Sequence, residues 1–98
     1  MRQADLLRKA QEIQNKIAGI MAASRGEATS GGGMVKAVAD GNGTILELKI
    51  EKEVIAPEES QMLEDLVIAA VNEARRKARQ AAQTEVQKVI GIPLPGLF

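Results

Sequence analysis

The sequence predicts an α+β fold: an N-terminal helix, a small antiparallel sheet of two or three strands, and a long C-terminal helix. The first observation is a change of period. Apolar residues recur at helical spacing over residues 2–24, alternate over 45–51, and return to helical spacing over 60–90. The second is the stretch from Ser60 to Ile90, which contains neither Gly nor Pro and is dominated by Ala, Leu, Glu, Gln, Arg and Lys, all strong helix formers. The third is the pair of turn signals Asp40-Gly41 and Asn42-Gly43, set between two strand-like runs. An unbroken helix over 60–90 is roughly 45 Å long at 1.5 Å rise per residue. A compact domain of this size has a radius of gyration near 13 Å, so part of the helix is expected to project. A projecting apolar stripe calls for a partner.

In the first helical segment Leu6, Ala10, Ile13, Ile17 and Ile20 follow 4-3-4-3 spacing, with Leu7 and Met21 widening the stripe. Gly19 lowers helicity and would admit another backbone. The helix is expected to end by Arg25-Gly26. GEATSGGG, residues 26–33, reads as a polar loop and turn, with a short edge strand at 26–30 as an option. The triple glycine does not qualify as a phosphate cradle, because Met34-Val35-Lys36 lacks the Lys-Ser/Thr ending and opens a strand rather than a helix.

Strands are predicted at Met34–Ala39 and Ile45–Glu51. In the first, Val35, Ala37 and Ala39 form a small-residue face; in the second, Leu46, Leu48 and Ile50 oppose Glu47, Lys49 and Glu51. A sheet with one apolar face needs a helix laid over it, and only the two helical segments are available. Pro57 suits a short helical lead-in and Ser60 is the candidate cap of the main helix, while Gly91 and Pro93 mark its end. The chain is read as one domain, residues 1–98, with 92–98 as an apolar tail.

Thirteen basic residues balance thirteen acidic ones, and the chain has no Cys, His, Trp or Tyr. Disulfides and thiolate metal sites are excluded, which fits a reducing compartment. Charged residues throughout the opening stretch exclude a signal peptide or membrane span there. A cytoplasmic protein is expected. No constellation supports an enzyme, a cofactor or a metal site, and the carboxylates of Glu58, Glu59, Glu64 and Asp65 have their explanation in the dipole of the following helix.

The neutral total hides a segregated distribution. Residues 1–25 hold five basic against two acidic side chains, a balance of +3, and residues 66–98 repeat it. Residues 45–65 set two lysines against seven acids, a balance of −5. The cluster Arg75-Arg76-Lys77-Arg79 solubilises a helix, with Glu73 and Lys77 as an i,i+4 pair, and is equally suited to phosphate contact. Arg75 and Arg79 form its best pair, with Arg76 beside Arg79. No aromatic side chains are placed to stack bases, which counts against single-strand readers. Asn72 is set either to hydrogen-bond across an interface or to face water.

The stretches GGGMVKAVADGNG, ILELKIEKEVI and MLEDLVIAAVNEARRKA closely resemble the bacterial nucleoid-associated YbaB/EbfC family, as do the opening MRQADLLRKAQEIQNKI and the ending GIPLPGLF. The resemblance covers nearly the whole chain. It implies a tweezer-like homodimer, with two long helices per subunit flanking a small sheet. It also implies duplex DNA as partner, bound with little sequence specificity, and a place at the nucleoid with a role in its organisation or in gene regulation. DNA contacts would fall on the helical arms, here Arg8, Lys9 and Lys16 on the first and Arg75, Arg76, Lys77 and Arg79 on the second. The neutral charge implies weak, salt-dependent affinity. The dimer interface is expected at Ile13, Ile17, Leu63, Leu66, Val67, Ala70 and Ala74, where the alanines would let another helix approach. The competing reading is a protein-interaction or scaffold module, using acidic residues 45–65 or the apolar tail.

Overall fold

The computed structural model describes residues 2–91, and the apolar tail expected at 92–98 lies outside them. Helix α1 spans Gln3–Ala23. Strands β1 (Arg25–Ser30), β2 (Val35–Asp40) and β3 (Ile45–Ile50) follow, then 3-10 turns at Lys52–Val54 and Pro57–Glu59, and helix α2 over Ser60–Ile90. The strands form one antiparallel sheet in the order β1-β2-β3. The predicted α+β architecture is therefore the observed one.

The polar stretch after Arg25 is the first place where the structure sharpens the expectation. Arg25–Ser30 is a full strand, paired along its length with β2 from Arg25 opposite Asp40 to Ser30 opposite Val35. Its inward residues are Gly26 and Ala28, both buried, while Arg25, Glu27 and Thr29 face solvent. The alternation is present but written in small residues, so it lacks the Val, Ile or aromatic signature of strands. Gly31, Gly32 and Gly33 all take positive φ and turn the chain into β2.

Small residues are needed because α2 lies directly on this hairpin. Ala70, Ala74 and Ala78, one helical stripe, are fully buried against Ala28, Val35, Ala37 and Ala39. At Gly26 the approach is closest: a Cβ there would overlap the Ala74 carbonyl and the Ala78 amide nitrogen. The Ser30 hydroxyl donates to the Leu66 carbonyl at 2.6 Å, and pins the far end of β1 to the helix. Ala70 and Ala74 are thus corrected as interface candidates. The backbone they admit is the chain's own strand, and neither has surface left for a second subunit.

A second correction concerns the cover of the sheet. Leu48 pairs with buried Ala37 and Ile50 with buried Val35, so both point to the face that carries α2. Yet Leu48 is 45% exposed. The helix sits over β1 and β2, and the apolar face of β3 stays uncovered. A shift of register between Val38 and Ala39 bends this edge strand.

Helix α1 contributes no fully buried residue among those described. It is tied to the sheet where the Gly41 N–H donates to the Met21 carbonyl at 2.8 Å, and it ends where the Ser24 hydroxyl and amide both donate to the Ile20 carbonyl. A Cβ on Gly41 would meet both Met21 and Ala82, which places these two level on an antiparallel helix pair. Ile13 is then level with Ile90, and residues 3–12 overhang the end of α2 by about 15 Å. The extents of 66 × 20 × 16 Å and the radius of gyration of 18.2 Å reflect that stagger.

Two smaller expectations change. Ser60 opens α2 but does not cap it, and Glu59 at the cap position makes no side-chain cap either. Gly19 faces open space, with nothing near enough for a Cβ to touch. Gly91 ends α2 in the left-handed region at φ 79, as expected.

Gly26 and Gly19 predict opposite outcomes on urea unfolding. Gly26→Ala should destabilise by about 1–3 kcal/mol, because the backbone on both sides has no room to yield. Gly19→Ala, at an open mid-helix position, should stabilise by about 0.5–1 kcal/mol.

Candidate nucleic-acid interface

Four side chains of α2 converge on its solvent side. Asn72, Arg75, Arg76 and Arg79 stand at i, i+3, i+4 and i+7, one face of a helix, and enclose a shallow recess of about 260 Å³. The stripe of Ala70, Ala74 and Ala78 occupies the opposite side, so burial of the alanines turns the arginines outward. The β2–β3 turn supports the recess at its edge. The Asp40 carboxylate, itself buried, accepts from the Asn42 and Thr44 amides at 2.9 and 3.0 Å and sets the turn. Gly43 then sits against Arg75, close enough that a Cβ would come within 3.2 Å of the guanidinium.

The cations are not equivalent. Arg76 is engaged by Glu73 through two hydrogen bonds, Nη2 to Oε1 at 2.6 Å and Nε to Oε2 at 2.9 Å. This i,i+3 pair replaces the expected pairing of Glu73 with Lys77. The Arg76 hydrogen bond holds the Glu73 carboxyl below its usual range, and the carboxylate in turn raises the Arg76 guanidinium. Arg75, Arg79 and Lys77 make no ion pair among the described residues; Lys77 stands on a different side of the helix from the recess. On α1, Arg8 bonds to Asp5 at 2.8 Å, while exposed Lys9 and Lys16 make no ion pair among the described residues. The structure therefore gathers Arg75, Arg76 and Arg79 into one site, and places Arg8, Lys9 and Lys16 along the staggered arm.

Residues 1–92 match the YbaB/EbfC DNA-binding family. The chain belongs to that family. YbaB/EbfC relatives include the nucleoid-associated protein THEYE_A1069 of Thermodesulfovibrio yellowstonii, 46% identical over 95% of this chain and 85% of its own length. A nucleoid-associated protein of Pelotomaculum thermopropionicum is 39% identical over 98% of this chain and 85% of its own. A crystal structure of the uncharacterized Helicobacter pylori protein HP0035 superposes with a TM-score of 0.73 over 93% of this chain and 99% of that one. At 17% identity, that match speaks to the fold alone.

Beyond the basic residues, the structure adds Gly43, whose turn abuts Arg75, and a second feature outside the charge pattern. An apolar trough runs between α2 and the uncovered face of β3, lined by Ile50, Ile55, Leu63, Val67 and Ile68, with a volume of about 810 Å³. The alternation of Leu46, Leu48 and Ile50 signalled an apolar face, but nothing in it told which part the helix would leave bare.

The Glu73–Arg76 pair has a testable signature. Glu73 is ionised and paired at neutral pH; its contribution to the helix is lost only as pH falls through its lowered pKa. A carbon-detected NMR titration should place the Glu73 midpoint below that of an ordinary glutamate, and Arg76→Ala should return it upward.

Proposed function

We propose that this protein is a homodimeric, non-enzymatic binder of duplex DNA, acting through its helical arms with little sequence readout, in the cytoplasm at the nucleoid. Membership of a DNA-binding family supports DNA as the partner. The observation that carries the mode of binding is the arginine recess, where Arg75 and Arg79 flank Asn72 with no carboxylate partner among the described residues. Guanidinium groups on a rigid helix suit phosphate oxygens, and such contacts position a protein on DNA without reading bases. Arg8, Lys9 and Lys16 extend the basic track along α1, and Lys77 lies on the neighbouring flank of α2.

Dimerisation supports the same reading by doubling each track. The apolar trough and the bare face of β3 are the surface that asks for a second copy: exposed Ile68 lines the trough with half-buried Leu63 and Val67, and Leu48 is large and exposed on β3. Leu66 instead closes over Gly31 and Met34 within its own chain, and Ile13 and Ile17 lie on α1, away from the trough. The interface is accordingly centred on Leu48, Leu63, Val67 and Ile68.

The dimer should sediment as such at micromolar concentration, and the double change Leu48→Asp with Ile68→Asp should give a monomer with its helix content unchanged. A wild-type monomer would remove the dimer from the reading. Binding is best measured on arbitrary short duplexes at two salt concentrations. Arg75→Glu with Arg79→Glu should stay dimeric and lose most affinity on every sequence tried. Glu73→Gln, which frees Arg76, should strengthen binding and steepen the salt dependence by about 0.9 in log–log slope per added phosphate contact. Unchanged affinity in both variants would show that the recess is not the contact.

A further inference from the structure

On the duplex-binding reading above, we propose that Asn72 contacts an adenine edge in the major groove and weights one A·T pair within an otherwise tolerant contact. Asparagine is among the weaker helix formers, because its amide competes with the backbone for hydrogen bonds. Asn72 stands well inside α2 and caps neither end. The hydrogen bonds of the recess run from Arg76 to Glu73 and Gln80, and Asn72 shares in none among the described residues. Its side chain is exposed, on the face that the buried alanines turn outward. Neither helix formation nor packing explains its place.

Asn72 also differs in kind from its neighbours. A guanidinium only donates and phosphate oxygens only accept, so the three arginines already match the backbone of a duplex. The carboxamide donates and accepts at once. Adenine presents the complement in the major groove, an N6–H donor beside the N7 acceptor, and Asn pairs with both. The minor groove offers only acceptors at an A·T pair and is about 6 Å wide, too narrow for a helix. The major groove, about 12 Å wide, admits one. With Asn72 over its midline, Arg75 and Arg76 stand about 4.5 and 6 Å along the axis, level with the phosphates of one rim. Both are held there: Arg75 lies against Gly43 of the β2–β3 turn, and Arg76 is clasped by Glu73. Asp65, two turns earlier on the same face, repels phosphate and limits the contact on that side.

A long arbitrary duplex hides such a preference, since it offers an adenine in some register whatever its sequence. The full-length protein is therefore titrated, at low salt, with a duplex of G·C pairs only and with the same duplex carrying one A·T pair stepped through each position. Affinity should rise about tenfold when the A·T pair falls at the contacted position, and 7-deazaadenine, which lacks N7, should remove the gain there. Asn72→Ala should stay dimeric in sedimentation, keep its affinity for the G·C duplex within about twofold, and show no gain from the A·T pair. A flat wild-type profile, or a variant that keeps the gain, would overturn the proposal and leave phosphate contact by the arginines standing. A monomeric variant would overturn it too, by assigning Asn72 to the subunit interface. Wild type that binds no duplex would overturn both this proposal and the reading beneath it.

Discussion

The contact on which the rest of the structure depends is the close seating of α2 on the β1–β2 hairpin. Gly26 and Ala28 below, and Ala70, Ala74 and Ala78 above, let two backbones meet with almost no side chain between them. Packing at this range fixes the helix laterally as well as in depth, because a larger residue on either side would lift or shift it. Three consequences follow from that one placement. The helix lies over two strands and leaves the third bare. Its arginines turn away from the sheet. Its last turns, beyond Ala82, run past the sheet, where α1 joins it.

Charge follows the long axis of the molecule. Glu58, Glu59, Glu64 and Asp65 gather at the start of α2, where they also complement the helix dipole. Arg75, Arg76 and Arg79 occupy its middle, and Arg8 and Lys9 stand at the far tip of α1. A chain of zero net charge is in this way strongly dipolar over 66 Å. Toward a polyanion, one end is attracted and the other repelled, so the field orients the approach although it adds little to the total. Salt weakens such orientation over roughly 10 Å.

The order of elements was legible because the apolar period changes from helical to alternating and back, and because α2 is long and free of breakers. The basic residues of α2 were legible too, and helical spacing alone brought Arg75, Arg76 and Arg79 together. What was not legible is traceable to small side chains. Gly26 and Ala28 carry little hydrophobic signal, so β1 read as a loop with a strand only as an option. Ala70 and Ala74 read as the seat of a second helix, since a stripe of alanines reports that something comes close without reporting what. The partner of Glu73 was misjudged: Lys77 was expected at i,i+4, but Arg76 at i,i+3 is also within helical reach, and the bidentate geometry of the guanidinium favours it.

The tie between Ser30 and Leu66 joins residues 36 apart in sequence, and Gly26 meets Ala74 and Ala78 across a longer span still. Closure of such loops has an entropic cost that must be met before the contacts form. On a growing chain, the inner face of the β1–β2 hairpin therefore waits, uncovered, until α2 has been made. Because that face is Gly, Ala and Val rather than Leu or Phe, the waiting hairpin is a poor template for association with its neighbours. The same small residues that permit the tightest contact in the folded chain keep its unfinished half soluble.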